Sequence, residues 1–121
     1  MTRTILIADD NKVNQMVAKL MLEREGYVVS IADTGKIAIE SLINQTIDMI
    51  LMDVHMPDMD GHEATRTIRA SGNQVPILAI TGGDTDSELQ ECINSGMNDF
   101  IIKPFEYEEF HQKIKKYLLQ Q

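Results

Sequence analysis

Residues 4–26 read TILIADDNKVNQMVAKLMLEREG, and this stretch decides the fold. Its opening run, Thr4 to Ala8, is near-continuously apolar instead of alternating, the pattern of a strand buried on both faces of a parallel sheet. After a short acidic loop, Val13, Met16, Val17, Leu20 and Met21 recur at i, i+3, i+4, i+7 and i+8, the spacing of one helix face. Gly26 then stops the helix. A strand, a polar loop and a helix in this order make the first half of a βαβ unit.

Working outward, the same period repeats. Apolar runs fall at Val28 to Ala32, Ile47 to Met52, Val75 to Ile80 and Phe100 to Ile102. A second helical stripe contains Ile37, Ala38, Leu42 and Ile43, and the last helix shows Tyr107, Phe110, Ile114, Tyr117 and Leu118. Each stripe is expected to face the core. Asp33 and Thr34 mark the start of the second helix, and Thr85-x-x-Glu88 reads as a capping box before the fourth, which Gly96 ends. No linker or repeat divides the chain, so residues 1–121 are expected to form one domain. The fold class is α/β: a (βα)5 doubly wound parallel five-stranded sheet, with the functional crevice at the carboxyl ends of the strands.

Nineteen acidic against eleven basic residues give a net charge of -8, which repels nucleic-acid phosphate and anionic lipid. Neither nucleic-acid binding nor membrane contact is expected. A single cysteine, Cys92, has no internal disulfide partner. With no apolar run of about eighteen residues and no signal peptide, the expected location is the cytoplasm.

The residues at the predicted strand ends carry the chemistry: Asp9 and Asp10 after the first, Asp53 after the third, Thr81 after the fourth and Lys103 after the fifth. Carboxylates converging in one crevice raise one another's pKa unless a cation neutralises them. All-oxygen ligands select a hard ion, so Mg²⁺ is expected, with Mn²⁺ as a substitute, whereas Zn²⁺ would call for His or Cys. A carboxylate beside Mg²⁺, an ammonium and a hydroxyl suits phosphoryl acceptance: Asp53 as nucleophile, with Lys103 and Thr81 on phosphoryl oxygens.

The stretches Ala8-Asp9-Asp10-Asn11, Leu51-Met52-Asp53-Val54-His55-Met56-Pro57-Asp58-Met59-Asp60-Gly61, Ala79-Ile80-Thr81 and Gly96-Met97-Asn98-Asp99-Phe100-Ile101-Ile102-Lys103-Pro104-Phe105 resemble the signature blocks of response-regulator receiver domains. The resemblance implies a flavodoxin-like strand order 2-1-3-4-5 and a cis Lys103-Pro104 bond. It makes Asp53 the phosphoacceptor, with Asp9, Asp10, Asp53 and the His55 carbonyl around Mg²⁺. Thr81 and Phe100 match the pair that switches the surface of the fourth helix, fifth strand and fifth helix. The implied partners are a histidine kinase or histidine phosphotransfer protein and an unidentified output protein. The implied state is a monomer, with a dimer through that surface on phosphorylation as the alternative, and the domain is a signalling module, not a multiple-turnover enzyme. The run Asn11-Lys12-Val13-Asn14-Gln15, with Glu63 to Arg69, is similar to receivers of hybrid histidine kinases, while Met1 with its short lead into the first strand suits a free-standing receiver. Both readings stay open. One departure is Gly82-Gly83 after Thr81, where the family usually has a small residue such as alanine first; a loose loop is expected, and with His55 it leaves the aspartyl-phosphate lifetime open.

Other classes fit less well. A haloacid-dehalogenase-type phosphatase expects an aspartate where His55 stands, and a flavodoxin-like carrier needs a phosphate-cradling loop where Asp9 and Asp10 would repel phosphate. A degenerate receiver acting only as a scaffold would not need the five-residue set. His62 and His111 are expected on solvent-facing helix surfaces, and Met56 and Met59 in loop packing. Glu106, Glu108 and Glu109 with Lys113, Lys115 and Lys116 complement the dipole of the last helix.

Overall fold

The computed structural model describes residues 2–83 and 85–119; Met1, Asp84, Gln120 and Gln121, which the expected 1–121 domain includes, lie outside the described residues. Strands and helices alternate: β1 Thr4–Ala8, α1 Lys12–Arg24, β2 Val28–Ala32, α2 Gly35–Asn44, β3 Met49–Asp53, α3 Gly61–Ala70, β4 Ile77–Thr81, α4 Asp86–Ser95, β5 Asp99–Ile102 and α5 Tyr107–Leu118. β1 and β2 coincide with the sequence expectation. β3 and β4 begin two residues later than their apolar runs and extend one further, because the sheet register pairs Asp53 with Ile80 and Thr81 with Ile102.

All strand pairs are parallel, in the order β2-β1-β3-β4-β5. Successive side chains of a strand point to opposite faces, so each apolar run feeds two cores. Ile50, Met52, Ile77 and Ala79 pack with Ala38, Ala64, Ile68 and Cys92 of α2, α3 and α4. Met49, Leu51, Leu78 and Ile80 pack with Ala18, Leu22, Phe110, Ile114 and Leu118 of α1 and α5. Burial on both faces is why the strands lack alternation.

Local chemistry sets the helix starts. Asn11, Thr34, Asp60, Thr85 and Glu106 each accept a backbone N–H of the following first turn. Gly96 ends α4 with φ +112°, in the left-handed region that glycine enters without strain.

Two expectations about helix faces are corrected. On α1 four of the five stripe residues, Val13, Met16, Val17 and Leu20, are not core: they are between 42% and 70% exposed, while Met21 is half-buried and packs against the core as expected. The face that packs on the sheet carries Gln15, Ala18 and Leu22. At 100° per residue the two faces lie on opposite sides of the helix. On α2, Ala38 is buried as expected, but Ile37 and Ile43 are exposed. The expectation for α5 holds at Phe110, Ile114 and Leu118.

The histidine expectation is also wrong. His62 is 7% and His111 5% exposed. His62 points from the first turn of α3 to α4, its Nδ1 lying 3.3 Å from Ser95 Oγ. Because Ser95 Oγ donates to the Cys92 carbonyl (2.7 Å), His62 Nδ1 is the donor to Ser95. His111 is covered by Tyr107 and Phe110, with ring centroids 4.2 and 5.5 Å away, and neither of its ring nitrogens has a hydrogen-bond partner among the described residues. Met56 is buried in the core, with Met59 packed against it.

Candidate phosphoryl-acceptor site

The site forms where β1, β3, β4 and β5 end. Asp9 follows β1, where its N–H pairs with the Ala32 carbonyl of β2 (3.1 Å), and its Oδ1 accepts the Asn11 N–H (2.9 Å). Asp53 is the last residue of β3, and its Oδ1 accepts the His55 N–H (3.0 Å). The carboxylate oxygens of Asp9, Asp10 and Asp53 come within 4.8 Å of one another, with Asp9 and Asp53 buried and Asp10 exposed. Among the described residues this is the one cluster of three such groups.

Lys103 enters from the far edge. Its Nζ lies 3.8 Å from Asp53 Oδ2, and its backbone N–H donates to the Thr81 carbonyl (2.8 Å), which holds the β5–α5 turn against the end of β4. The Lys103-Pro104 peptide is cis. Thr81 is buried, and its Oγ1 accepts the Gly83 N–H (3.0 Å), leaving the hydroxyl proton available to another acceptor. The Gly82-Gly83 segment is therefore tied to Thr81, and the space a side chain at 83 would fill is taken by the Glu88 carboxylate.

Close packing fixes the loop that carries His55. Gly61 N–H donates to the Val54 carbonyl (3.0 Å), and a Cβ at 61 would collide with the Asp53 backbone oxygen. Glycine is required there for α3 to start against the end of β3. Beside Thr81, a cavity of about 180 Å³ is lined by Val54, His55, His62, Glu88, Glu91 and Cys92.

Burial, and then the charge of Asp9, push the Asp53 carboxyl up to about 6, against the opposing pull of the His55 N–H and Lys103. Two acids facing one another at low solvent access are held ionised by a cation. Three oxygen-donor side chains without nitrogen or sulfur fit a hard divalent ion such as Mg²⁺.

Of the residues expected from sequence, Asp9, Asp10, Asp53 and Lys103 converge, and Thr81 adjoins them through the β4–β5 register. His55 contributes its N–H to Asp53 while its side chain is exposed. Phe100 is placed apart: half-buried, it lines an outer groove with Leu89 and Ile93, with Lys113 Nζ 4.5 Å from its ring centroid. Sequence reasoning placed Asp33 only at the start of the second helix and gave neither it nor Gln15 a part in the site, yet the two buttress the Asp9 loop. The available signal was a glutamine on the helix face shared with Ala18 and Leu22.

The family model for the response regulator receiver domain matches residues 5–115. The chain is a response regulator receiver domain. This receiver is 38% identical over 115 residues to the CAI-1 autoinducer sensor kinase/phosphatase CqsS of Vibrio cholerae, covering 93% of this chain and 17% of that protein. It is 33% identical over 114 residues to the transcription factor SKN7 of Saccharomyces cerevisiae, covering 94% of this chain and 18% of that protein. The receiver thus spans under a fifth of the length of either relative.

Among solved structures, the receiver domain of the sensor histidine kinase PA1611 of Pseudomonas aeruginosa superposes with a TM-score of 0.89 at 38% identity, covering 98% of each chain. In that protein a magnesium ion is coordinated in the active-site cleft. The receiver of Ssk1 of Saccharomyces cerevisiae, crystallised with the histidine phosphotransfer protein Ypd1, gives 0.92 at 25% identity, covering 99% of this chain and 91% of that one. The receiver is therefore a signalling module of two-component phosphorelay. No helix of the described residues is long and apolar enough to cross a membrane.

Proposed function

We propose that Asp53 accepts a phosphoryl group from a phosphohistidine, with Lys103 and Thr81 binding its oxygens and Asp9, Asp10, Asp53 and the His55 carbonyl holding Mg²⁺, for which Mn²⁺ substitutes. The observation that carries this reading is the convergence of three carboxylates within 4.8 Å, with Lys103 Nζ 3.8 Å from Asp53, at the carboxyl end of the sheet. In the transfer a carboxylate oxygen of Asp53 forms the new O–P bond as the donor N–P bond breaks, and the imidazole leaves. Bound Mg²⁺ supplies neutralisation of the charge on the transferring oxygens. Lys103 adds a second positive charge, and the free Thr81 proton a hydrogen bond. The domain promotes its own phosphorylation and dephosphorylation without turning over as an enzyme.

The donor must lay a histidine over the crevice, so its docking surface adjoins it. The exposed face Val13, Met16, Val17 and Leu20 of α1 meets that condition: Val17 and Asn14 share a groove of about 340 Å³ with Lys103, Pro104 and Phe105. An apolar face of this size suits a helical histidine kinase or phosphotransfer protein. On phosphorylation, a pull on Thr81 alters the cavity beside it and lets Phe100 leave Lys113, changing the α4–β5–α5 surface for an output protein or a second copy. A cytoplasmic location accompanies this reading, since histidine kinases draw on cytoplasmic ATP.

The test is incubation with Mg²⁺ and a small phosphoramidate donor, followed by intact mass measurement, with Asp53→Asn as control. One phosphoryl adduct that requires Mg²⁺ and is missing from the variant is expected. Equal labelling of the variant would remove Asp53 from its role, and no labelling at all would favour a scaffold that works without phosphate.

A further inference from the structure

Gln15 is the polar residue on the buried face of α1, and it is only 4% exposed. Its side-chain amide nitrogen donates to the backbone carbonyl of Asp9 (2.5 Å) and to Asp33 Oδ1 (2.7 Å). Both acceptors are oxygens, so each of the two amide hydrogens has one partner and the orientation of the amide is determined. Asp33 Oδ1 also receives Lys12 Nζ at 2.8 Å. One side chain thus ties together the loop after β1, which carries Asp9 and Asp10, and the loop after β2, which carries Asp33.

We infer that Gln15 is a positioning residue for the divalent cation: its carboxamide clamps the Asp9 carbonyl and thereby sets the direction in which the Asp9 and Asp10 carboxylates face the ion. The inference rests on the metal reading above. A loop of two adjacent acids without such a tie would rotate to separate its charges, and the ion would have to restore the geometry on binding. Holding the loop in advance removes that ordering from the binding equilibrium. The clamp also joins the metal loop to α1, whose opposite face is exposed.

The experiment measures Mg²⁺ affinity by isothermal titration calorimetry, and the melting temperature in chelator, for the wild type, Gln15→Leu, Gln15→Arg, Asp33→Asn and Asp33→Ala. Loss of an outer hydrogen bond to a metal site weakens affinity by about ten- to a hundredfold, and Gln15→Leu is expected at the lower end of that range. Gln15→Arg, whose guanidinium has donors for both oxygens, is expected to return to within about threefold of wild type. Asp33 lies on an exposed loop, so its variants fold. Asp33→Asn keeps the acceptor and loses only a screened charge, whereas Asp33→Ala loses the acceptor and is expected to bind more weakly than Asp33→Asn. A merely structural glutamine would lower the melting temperature of Gln15→Leu and leave the affinity of the folded protein within about twofold of wild type, which would overturn the inference, as would equal affinities for the two Asp33 variants. Failure of the wild type to bind Mg²⁺ would instead remove the metal reading on which it rests.

Discussion

The Asp53 carboxyl is buried against Asp9 and held near a pKa of about 6, above its ordinary 3.8. A folded-state pKa above the unfolded one means that the fold binds the proton more tightly, so stability is greatest below the unfolded value and falls as pH rises from about 4 to about 6. Asp53→Asn removes this ionisation. In chelator, urea unfolding is expected to give equal stabilities at about pH 3 and an advantage for the variant above about pH 6 on the order of 2 kcal/mol. A difference that does not change with pH would contradict the origin assigned to the shift. His111, with two unpaired ring nitrogens in an aromatic cover, is a second buried group held at a cost, about 1–3 kcal/mol for an unsatisfied polar group.

At the scale of the element, α1 has two apolar-compatible faces and the sheet covers one. Ala18 and Leu22 supply the packing and Gln15 the clamp, which leaves Val13, Met16, Val17 and Leu20 beside the crevice. Val17→Asp and Leu20→Asp change only exposed positions, so the fold and labelling by a small phosphoramidate are expected to be unaffected. Transfer from a phosphorylated histidine phosphotransfer protein is expected to slow by about tenfold or more, the effect of one or two lost apolar anchors worth 1–2 kcal/mol each. Comparison of the two rates in stopped reactions checks this; parallel loss of both would assign the face to stability, and no loss would put the donor elsewhere.

For the whole molecule, metal binding and folding are linked. The acidic cluster is assembled from separate strands, so the unfolded chain has no equivalent site. Mg²⁺ at about one hundred times its Kd is expected to stabilise the fold by about 2.7 kcal/mol, a rise in Tm of roughly 10 °C for a domain of this size. Asp10→Asn, at an exposed position, is expected to abolish most of that rise without lowering the Tm measured in chelator. Calorimetric melts with and without Mg²⁺ decide it, and a rise retained in full by the variant would place the ion elsewhere.

The sequence by itself determined the alternation of strands and helices, because continuous apolar runs and helical spacing are local properties, and Thr34 and Thr85 write their helix starts within four residues. It also determined the constellation Asp9, Asp10, Asp53, Thr81 and Lys103, since the parallel topology brings consecutive strand ends to one edge. The side of each helix that meets the sheet was decided only in the tertiary structure. Spacing identifies an apolar face, yet whether a neighbour covers it depends on how β1, β2 and α5 pack together, which is why the stripe on α1, Met21 excepted, proved to be surface and Gln15 interior. The burial of His62 and His111 came from the same source, because polarity marks a side chain's preference for water and packing against α4 or beside Tyr107 overrides it. The 3.8 Å approach of Lys103 to Asp53 likewise required the β4–β5 register and the turn after β5, distances that no local pattern encodes.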